Sequence, residues 1–454
     1  MSVQAQALPR GRQLSLMQII LASSAGTVIE WYDFYIYASL AVFFGTLFFP
    51  KANPTSGFLL SLATWGTGFL VRPFGAVVFG RIGDLVGRKY AFLVTLSVMG
   101  IATTLTGLVP TYAQIGIFAP ALLVLFRLIQ GLALGGEYGG AATYIAEHAP
   151  DARRGYYTSY IQTTATVGIA LALLVVLAFR LWLGDAAFRD WGWRLPFLVS
   201  SVLLIVAMYI RLRLQEAPLF ARLKEQGKSS RAPLKESLGT RKNWKMILLA
   251  LIGATSGQAT VWYTGQFYCL LFLQTQVFPR TDFVSPPLVV SIAIVLATPF
   301  FLVFGALSDR IGRKPVIMAG LLLAALTYIP IYHGMKNSGG NWAVLIPLVF
   351  IQVIYVTLVY APIAAFLVEY FPARIRYTSM SVPYHMGNGW FGGLTPLIAA
   401  SISVATHNIY AGLWWPIITA LVSFVVGGLF LPETNKTRIW DEVGGELAPG
   451  TAGE

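Results

Sequence analysis

The stretch Gly80-Arg-Ile-Gly-Asp84-Leu-Val-Gly87-Arg88-Lys89 returns in the second half of the chain as Gly305-Ala-Leu-Ser-Asp309-Arg-Ile-Gly312-Arg313-Lys314. The register Gly-x3-Asp-x2-Gly-Arg-Lys holds at every fixed position. Each copy ends one long apolar segment and precedes another, so each reads as a tight charged turn between membrane helices. Two homologous halves joined by a basic linker have the build of a secondary transporter.

Working outward from the turns, apolar segments of about 20 residues recur along the chain, each long enough for the hydrocarbon core. They predict twelve spans: 17–40, 57–79, 90–110, 116–146, 157–180 and 193–211, then 244–273, 286–306, 315–334, 342–370, 378–403 and 411–431. The fold class is an all-α membrane protein of two six-helix bundles. Its expected parts are a cytoplasmic amino terminus (1–16), a first bundle (17–211), a basic linker (212–243), a second bundle (244–431) and a cytoplasmic tail (432–454). That tail is Gly-rich and acidic, and is expected to be disordered.

The chain is 56% hydrophobic and only 11% charged, which excludes an ordinary soluble domain. Its net charge of +13 invites a nucleic-acid reading, but the charge distribution argues against it. Of 32 Lys+Arg, six fall outside (Lys51, Arg180, Arg189, Arg194, Arg280 and Lys336), and Arg72 and Arg127 lie within helices. The rest are cytoplasmic, the bias that orients membrane proteins. Expected partners are the bilayer, protons and a small molecule, with no nucleic acid, and the chain is read as a functional monomer. Cys269 is the only cysteine and the four histidines lack ligand spacing, so no metal or other cofactor is expected. No nucleophile–base constellation argues for an enzyme. No cleavable signal peptide is apparent.

Asp84 and Asp309 sit beside Gly-rich turns, where a carboxylate can accept from backbone N–H groups at a neighbouring helix's amino end. Arg88 and Arg313 need acidic partners, and Glu147 and Glu369 close the fourth and tenth spans in matching positions. Gly80, Asp84, Arg88, Glu147, Asp309, Arg313 and Glu369 are therefore read as gating residues.

The turns resemble the signature of the major facilitator superfamily, and Arg127-x2-Gln130-Gly131 resembles its fourth-helix motif. Within it, five further stretches are similar to the metabolite:H+ symporter family. They are Gly26-x3-Glu30-Trp31-Tyr32-Asp33-Phe34-Tyr35, Arg72-Pro73-x-Gly75, Gly135-Gly136-Glu137-Tyr138-Gly139-Gly140, Ala373-Arg-Ile-Arg-Tyr377-Thr-Ser and Gly387-Asn388-Gly389-x2-Gly392-Gly393. The resemblance covers about residues 17–431. It implies proton-driven uptake of a small organic acid or zwitterion across the cytoplasmic membrane.

Aligning the halves exposes what each retained. Glu30 falls on Val261, Asp33 on Thr264, Arg72 on Ala297, Arg127 on Val349 and Glu137 on Val359. Five intramembrane charges thus face none in the second half, and charges in lipid cost at least ~2.5–3.5 kcal/mol each. Glu30, Asp33 and Tyr37 share one face of the first span, while Arg127, Gln130 and Glu137 share one face of the fourth. The expectation is that Asp33 or Glu30 takes up the proton, with Arg127 as counter-charge and carboxylate holder. Arg72 either binds substrate or pairs with Glu137 as an inner gate. Gln258, Trp262 and Gln266 line one face of the seventh span, with Tyr263 and Tyr355 expected to adjoin them. Tyr384, His385 and Asn388 come from the eleventh. With Tyr37, Gln130 and the arginines these make the candidate substrate site.

The glycines Gly387, Gly389 and Gly392 spell a dinucleotide fingerprint, but no strand precedes them. They are read instead as allowing close helix approach or bending. The leading expectation is an importer of a mono-, di- or tricarboxylate. Proline or betaine uptake and an uncoupled facilitator are the alternatives.

Overall fold

The computed structural model describes residues 16–50, 53–86, 88–212, 225–226, 232–279 and 281–441. Within lipid every backbone polar group must be paired inside its own segment, and these apolar runs accordingly fold as helices. Twelve cross the molecule among the described residues. In the first half they are α1 (Leu16–Ser39, prolonged by Ala41–Phe48), α2 (Pro54–Leu85), α3 (Arg88–Gly107), α4 (Phe118–Leu134 with Glu137–His148), α5 (Arg154–Leu183) and α6 (Leu195–Leu212). In the second they are α7 (Arg241–Val277), α8 (Ser285–Ile311), α9 (Arg313–Asn337), α10 (Trp342–Tyr370), α11 (Arg376–Met386 through Thr395–Thr406) and α12 (Trp414–Phe430). The first helix runs past the expected end at residue 40, to Phe48, because its apolar aromatics pack on Trp193 and Phe197.

The halves meet along two seams, α5 against α8 and α2 against α11. Asp84 and Asp309 lie at one end of the bundle, called here the turn end.

Small residues set the depth at which charged side chains meet. A Cβ at Gly68 would stand 2.9 Å from the Arg127 carbonyl, and one at Gly131 would stand 2.7 Å from the Gly68 Cα. The backbones of α2 and α4 therefore touch, as small residues permit in membranes. This seam holds Arg72 and Arg127 about one helical turn apart. The glycines of α11 behave likewise. Gly387–Gly393 forms a π-helical stretch, with Gly387 against Thr255, Gly392 against Tyr263 and Gly389 against the Phe69 carbonyl. Three further π turns interrupt α7 (Leu251–Thr255, Thr264–Tyr268 and Leu273–Val277), and such bulges frequently accompany functional sites.

The beginning of the tail departs from expectation. Far from disordered, residues 431–441 fold back under the turn end, burying Ile439 and Trp440. The Glu433 carboxylate accepts from the backbone N–H groups of Arg313 (2.8 Å) and Lys314 (3.0 Å), capping α9. Its acidic character suits a helix amino end, which is the physical reason this stretch is ordered.

Candidate functional site

The centre of the molecule is an aromatic chamber built from both halves. On α1, Trp31 and Tyr35 stack at 5.4 Å between ring centroids. Trp262 of α7 meets Trp31 at 5.3 Å, and Phe267 meets Tyr35 at 4.3 Å. From α2, Trp65 and Phe69 close on Phe267 (5.2 Å) and Tyr263 (5.3 Å).

Arg72 enters this chamber from α2. Its Cζ lies 5.7 Å from the Trp31 ring centroid and 5.9 Å from that of Phe69, within cation–π range. Nη1 donates to the Tyr263 hydroxyl at 3.4 Å, across the seam between halves, and Nε has no protein partner. The side chain is 1% exposed. Beside it, Trp262 Nε1 and both ring nitrogens of His385 are buried without a hydrogen-bond partner, as are both polar atoms of the Gln266 amide one turn along α7 from Trp262. Buried polar groups are normally paired, so this collection is set up to meet a polar ligand.

Arg127 has different surroundings. Its Cζ sits 4.1 Å from the Tyr37 ring centroid and 5.2 Å from that of Phe34, and none of its nitrogens makes a hydrogen bond. Asp33 lies within its electrostatic reach. One Asp33 oxygen accepts from the Ser200 hydroxyl of α6, while the other is unbonded. Gln130 donates to the Thr103 hydroxyl (2.9 Å) and Tyr37 to the Ser61 carbonyl (3.3 Å), so both face into the first half.

The structure revises three expected pairings. Glu137 does not pair with Arg72. Its two oxygens accept from Nη1 (2.9 Å) and Nη2 of Arg211, and Thr95 donates to it at 3.2 Å. Arg72 sits a turn away, committed to the aromatic chamber. Glu30 faces Glu137 and Arg211 rather than Arg127, because the helical rise carries it one turn closer to the turn end than Asp33. Tyr355 points away from the Gln258–Trp262–Gln266 face: its hydroxyl accepts from Thr327 of α9 at 3.0 Å. Helical spacing fixes which residues share a face, whereas the packing of α9 on α10 fixes where that face points.

On the second-half wall, Gln258 and Asn388 pair amide to amide (3.2 Å), and Asn388 also donates to the Tyr384 carbonyl. Tyr384 stacks on Tyr138 at 3.5 Å, and its hydroxyl meets that of Tyr360 at 2.6 Å. These tyrosines cross the seam just below Arg72. Tyr360 was not singled out by sequence reasoning, and Tyr138 only as part of a motif.

Both turns are engaged at the turn end. Asp84 accepts from the Thr378 hydroxyl (2.6 Å) and N–H (3.2 Å) near the start of α11. Asp309 accepts from the N–H groups of Gly155 and Tyr156 (2.8 Å each) at the start of α5. Gly80 packs against Thr378, where a Cβ would come within 3.3 Å. Arg313 binds Asp309 (2.6 Å) and Glu369 (2.9 Å), and Arg154 binds Glu369 at 3.0 Å. The tail joins this network: Thr434 donates to Glu369 (2.8 Å), and Arg154 donates to the Thr437 carbonyl (3.0 Å). Glu147 is buried in the last turn of α4, and the Arg88 side chain lies outside the described residues. Away from the turn end, Trp390 donates to the Leu70 carbonyl (3.1 Å), and Leu394 packs on Gly66, so α11 stays against α2 beyond Arg72.

Arg211, Glu433, Thr434 and Thr437 are the functional candidates that sequence reasoning missed, and Trp31 entered it only as part of a motif. Arg211 sat at a helix end among linker cations, and only the unanswered charge of Glu137 pointed to it.

Comparisons with known proteins agree with this architecture. The family model described as Sugar (and other) transporter matches residues 18–248, and that described as Major Facilitator Superfamily matches residues 281–449. Alpha-ketoglutarate permease of Escherichia coli (strain K12) is 34% identical over 422 residues, spanning 92% of this chain and 94% of that protein. The proline/betaine transporter of the same strain is 32% identical over 432 residues, spanning 93% of this chain and 84% of that protein. Among solved structures, the proton:xylose symporter XylE bound to 6-bromo-6-deoxy-D-glucose matches with TM-score 0.68 at 18% identity, covering 93% of this chain and 97% of that one. At that identity the match speaks to the fold alone.

Proposed function

The chain belongs to the major facilitator superfamily of membrane transporters, and from that premise we propose that it imports a small organic acid together with protons. The observation that carries this reading is Arg72. It is a fully buried guanidinium at the meeting point of the two halves, with an unpartnered Nε and unpartnered donors around it. A substrate carboxylate accepted by Arg72 would satisfy those groups and bridge the halves, so closure would be tied to occupancy. Trp262 Nε1, Gln266 and His385 orient the rest of the molecule.

Asp33 and Arg127 form the coupling pair in this reading. An ionised Asp33 holds Arg127 as its counter-charge; a proton on Asp33 removes that hold and lets substrate charge be accommodated nearby. Each ligand then favours the other, as linkage requires. Loaded with both, the chamber carries less net charge while its access changes from one face to the other. Asp84, Asp309, Arg313 and Glu369 act as latches that close the turn end, which the positive-inside bias supports as cytoplasmic. By the same bias both termini face the cytoplasm in this reading, and a relative named Inner membrane metabolite transport protein YhjE favours the inner membrane.

A second reading has its own observation. Trp31, Tyr35, Trp262 and Phe267 form a cage of aromatic faces beside Arg72, the surroundings that a quaternary ammonium prefers. A betaine-type zwitterion would place its carboxylate on Arg72 and its methylammonium in that cage, and a relative is named a proline/betaine transporter. Tracer uptake into proteoliposomes, with carboxylates and betaines competed against each other, separates the two. A third possibility, an uncoupled facilitator, is excluded if a protonophore collapses accumulation.

A further inference from the structure

We propose that Glu30 and Glu137, bridged by Arg211, form a second proton-binding site, distinct from Asp33, that takes up and releases one proton in each transport cycle. Glu30 is 1% exposed and neither of its oxygens has a hydrogen-bond partner. It faces Glu137, also 1% exposed, whose two oxygens are already taken by the Arg211 guanidinium and by Thr95. Arg211 reaches Glu137 by lying across Gly26, one turn before Glu30 on the same helix. A Cβ at Gly26 would fall 2.7 Å from the guanidinium carbon. Two carboxyl groups and one guanidinium therefore share one enclosure.

The charges decide what this enclosure binds. With both carboxylates ionised the group carries one net negative charge away from water, an expensive state in lipid. One proton, shared between the two glutamates, cancels it and gives the unbonded Glu30 oxygens a hydrogen to donate or accept. Among the described residues, Arg211 is the cation that the structure sets against the two glutamates. The helices packed on α1 here bring Thr95 from α3, Arg211 from α6, Glu137 from α4 and uncharged Gly168 from α5; Asp33, the next acid on α1, adds further negative charge. From α11, the Tyr377 hydroxyl donates to the Gly136 carbonyl beside Arg211. Ile29, Leu96 and Ala207 pack together on the flank of α1 and shield it on that side.

Position gives the site its role. It joins α1, α4 and α6 within the first half, between the chamber and the turn end, and Tyr377 adjoins the Asp84 latch through Thr378. A proton leaving Glu30–Glu137 would restore a charge that draws water and loosens this end.

The inference takes from the proposed function only that the protein is a proton-using transporter, and its readout does not depend on Asp33. Infrared difference spectroscopy between acid and alkaline pH on the purified full chain reads protonated carboxyl groups directly. Glu30→Gln and Glu137→Gln should each abolish one titrating carboxyl band that Asp33→Asn keeps. In proteoliposomes, the proton-to-substrate ratio read from reversal potentials should fall by one from the wild type to Glu30→Gln. A band that survives both glutamine variants, or a ratio that Glu30→Gln leaves unchanged, would overturn the proposal. Glu137→Gln supplies the same comparison if Glu30→Gln does not fold. A ratio that Asp33→Asn leaves unchanged, with the glutamate band intact, would count against the Asp33 reading alone.

Discussion

The Arg72 guanidinium of the first half donates to the Tyr263 hydroxyl of the second at 3.4 Å, buried among aromatic rings from both halves. The length of this bond shows a weak contact, well suited to exchange for a stronger one with a carboxylate. Replacing Arg72 by Ala should weaken binding of an acidic substrate by about 1.5–3 kcal/mol, roughly 10- to 100-fold in Kd. Arg72→Lys should recover only part of this, since the ammonium lacks the planar fork. Tyr263→Phe should cost less than threefold. Isothermal titration or tracer competition on purified protein measures all three.

Trp262 tells the two substrate readings apart. Its ring faces Trp31 at 5.3 Å. Trp262→Leu should reduce affinity for a betaine by about 1–2 kcal/mol through loss of the cation–π face, while a simple dicarboxylate should be little affected. Equal losses for both would mean that the ring only packs the chamber.

Glu369 holds two buried cations, Arg154 and Arg313, at 3.0 and 2.9 Å. Glu369→Ala leaves both without this carboxylate and should destabilise the closed state by about 3–5 kcal/mol. Asp309→Asn keeps a hydrogen-bonding oxygen but removes the charge that meets both the α5 amino end and Arg313, and should cost less, about 1–2 kcal/mol. Thiol labelling of a cysteine placed at the turn end should rise in both variants, more in the first. Unchanged labelling would show that the latch does not control access.

The tail gives a prediction that composition alone would not. A chain ending at Leu431 loses Glu433, Thr434 and the Thr437 carbonyl, and should show the same increase in turn-end labelling. One ending at Asp441 should behave as the full chain. If the shorter chain also behaves normally, the tail contacts are incidental.

Much of the fold was legible in the sequence, because lipid forces apolar runs into helices and the duplicated turn marks where the halves repeat. The engagement of Asp84 and Asp309 with helix amino ends followed from the same logic of charge and dipole. The chamber was legible in composition but not in aim. Glu30 and Asp33 share a helix face, yet one turn of rise gives them different counter-charges. Tyr355 has the right spacing and the wrong azimuth. Arg211 closed the sixth span beside the linker and Glu433 lay in the tail, where only tertiary contact could distinguish a structural charge from a solvated one. The asymmetry between the halves was the more useful signal: each of the five unmatched charges is buried in the structure.

The second consequence of the Asp33–Arg127 arrangement concerns exchange. Asp33→Asn cannot ionise, so it should still exchange substrate across the membrane while its response to a pH gradient falls to that of the Glu30–Glu137 proton alone.

The central claim is that uptake is driven by protons through Asp33, and proteoliposomes with an imposed gradient, acidic outside, test it most directly. Wild-type protein should accumulate a labelled carboxylate above its equilibrium level, a protonophore should abolish the excess, and Asp33→Asn should accumulate the label only to the smaller excess that the Glu30–Glu137 proton supports, an excess lost when Glu30→Gln is added. Accumulation by Asp33→Asn equal to wild type, or a wild type indifferent to the gradient, would contradict the account.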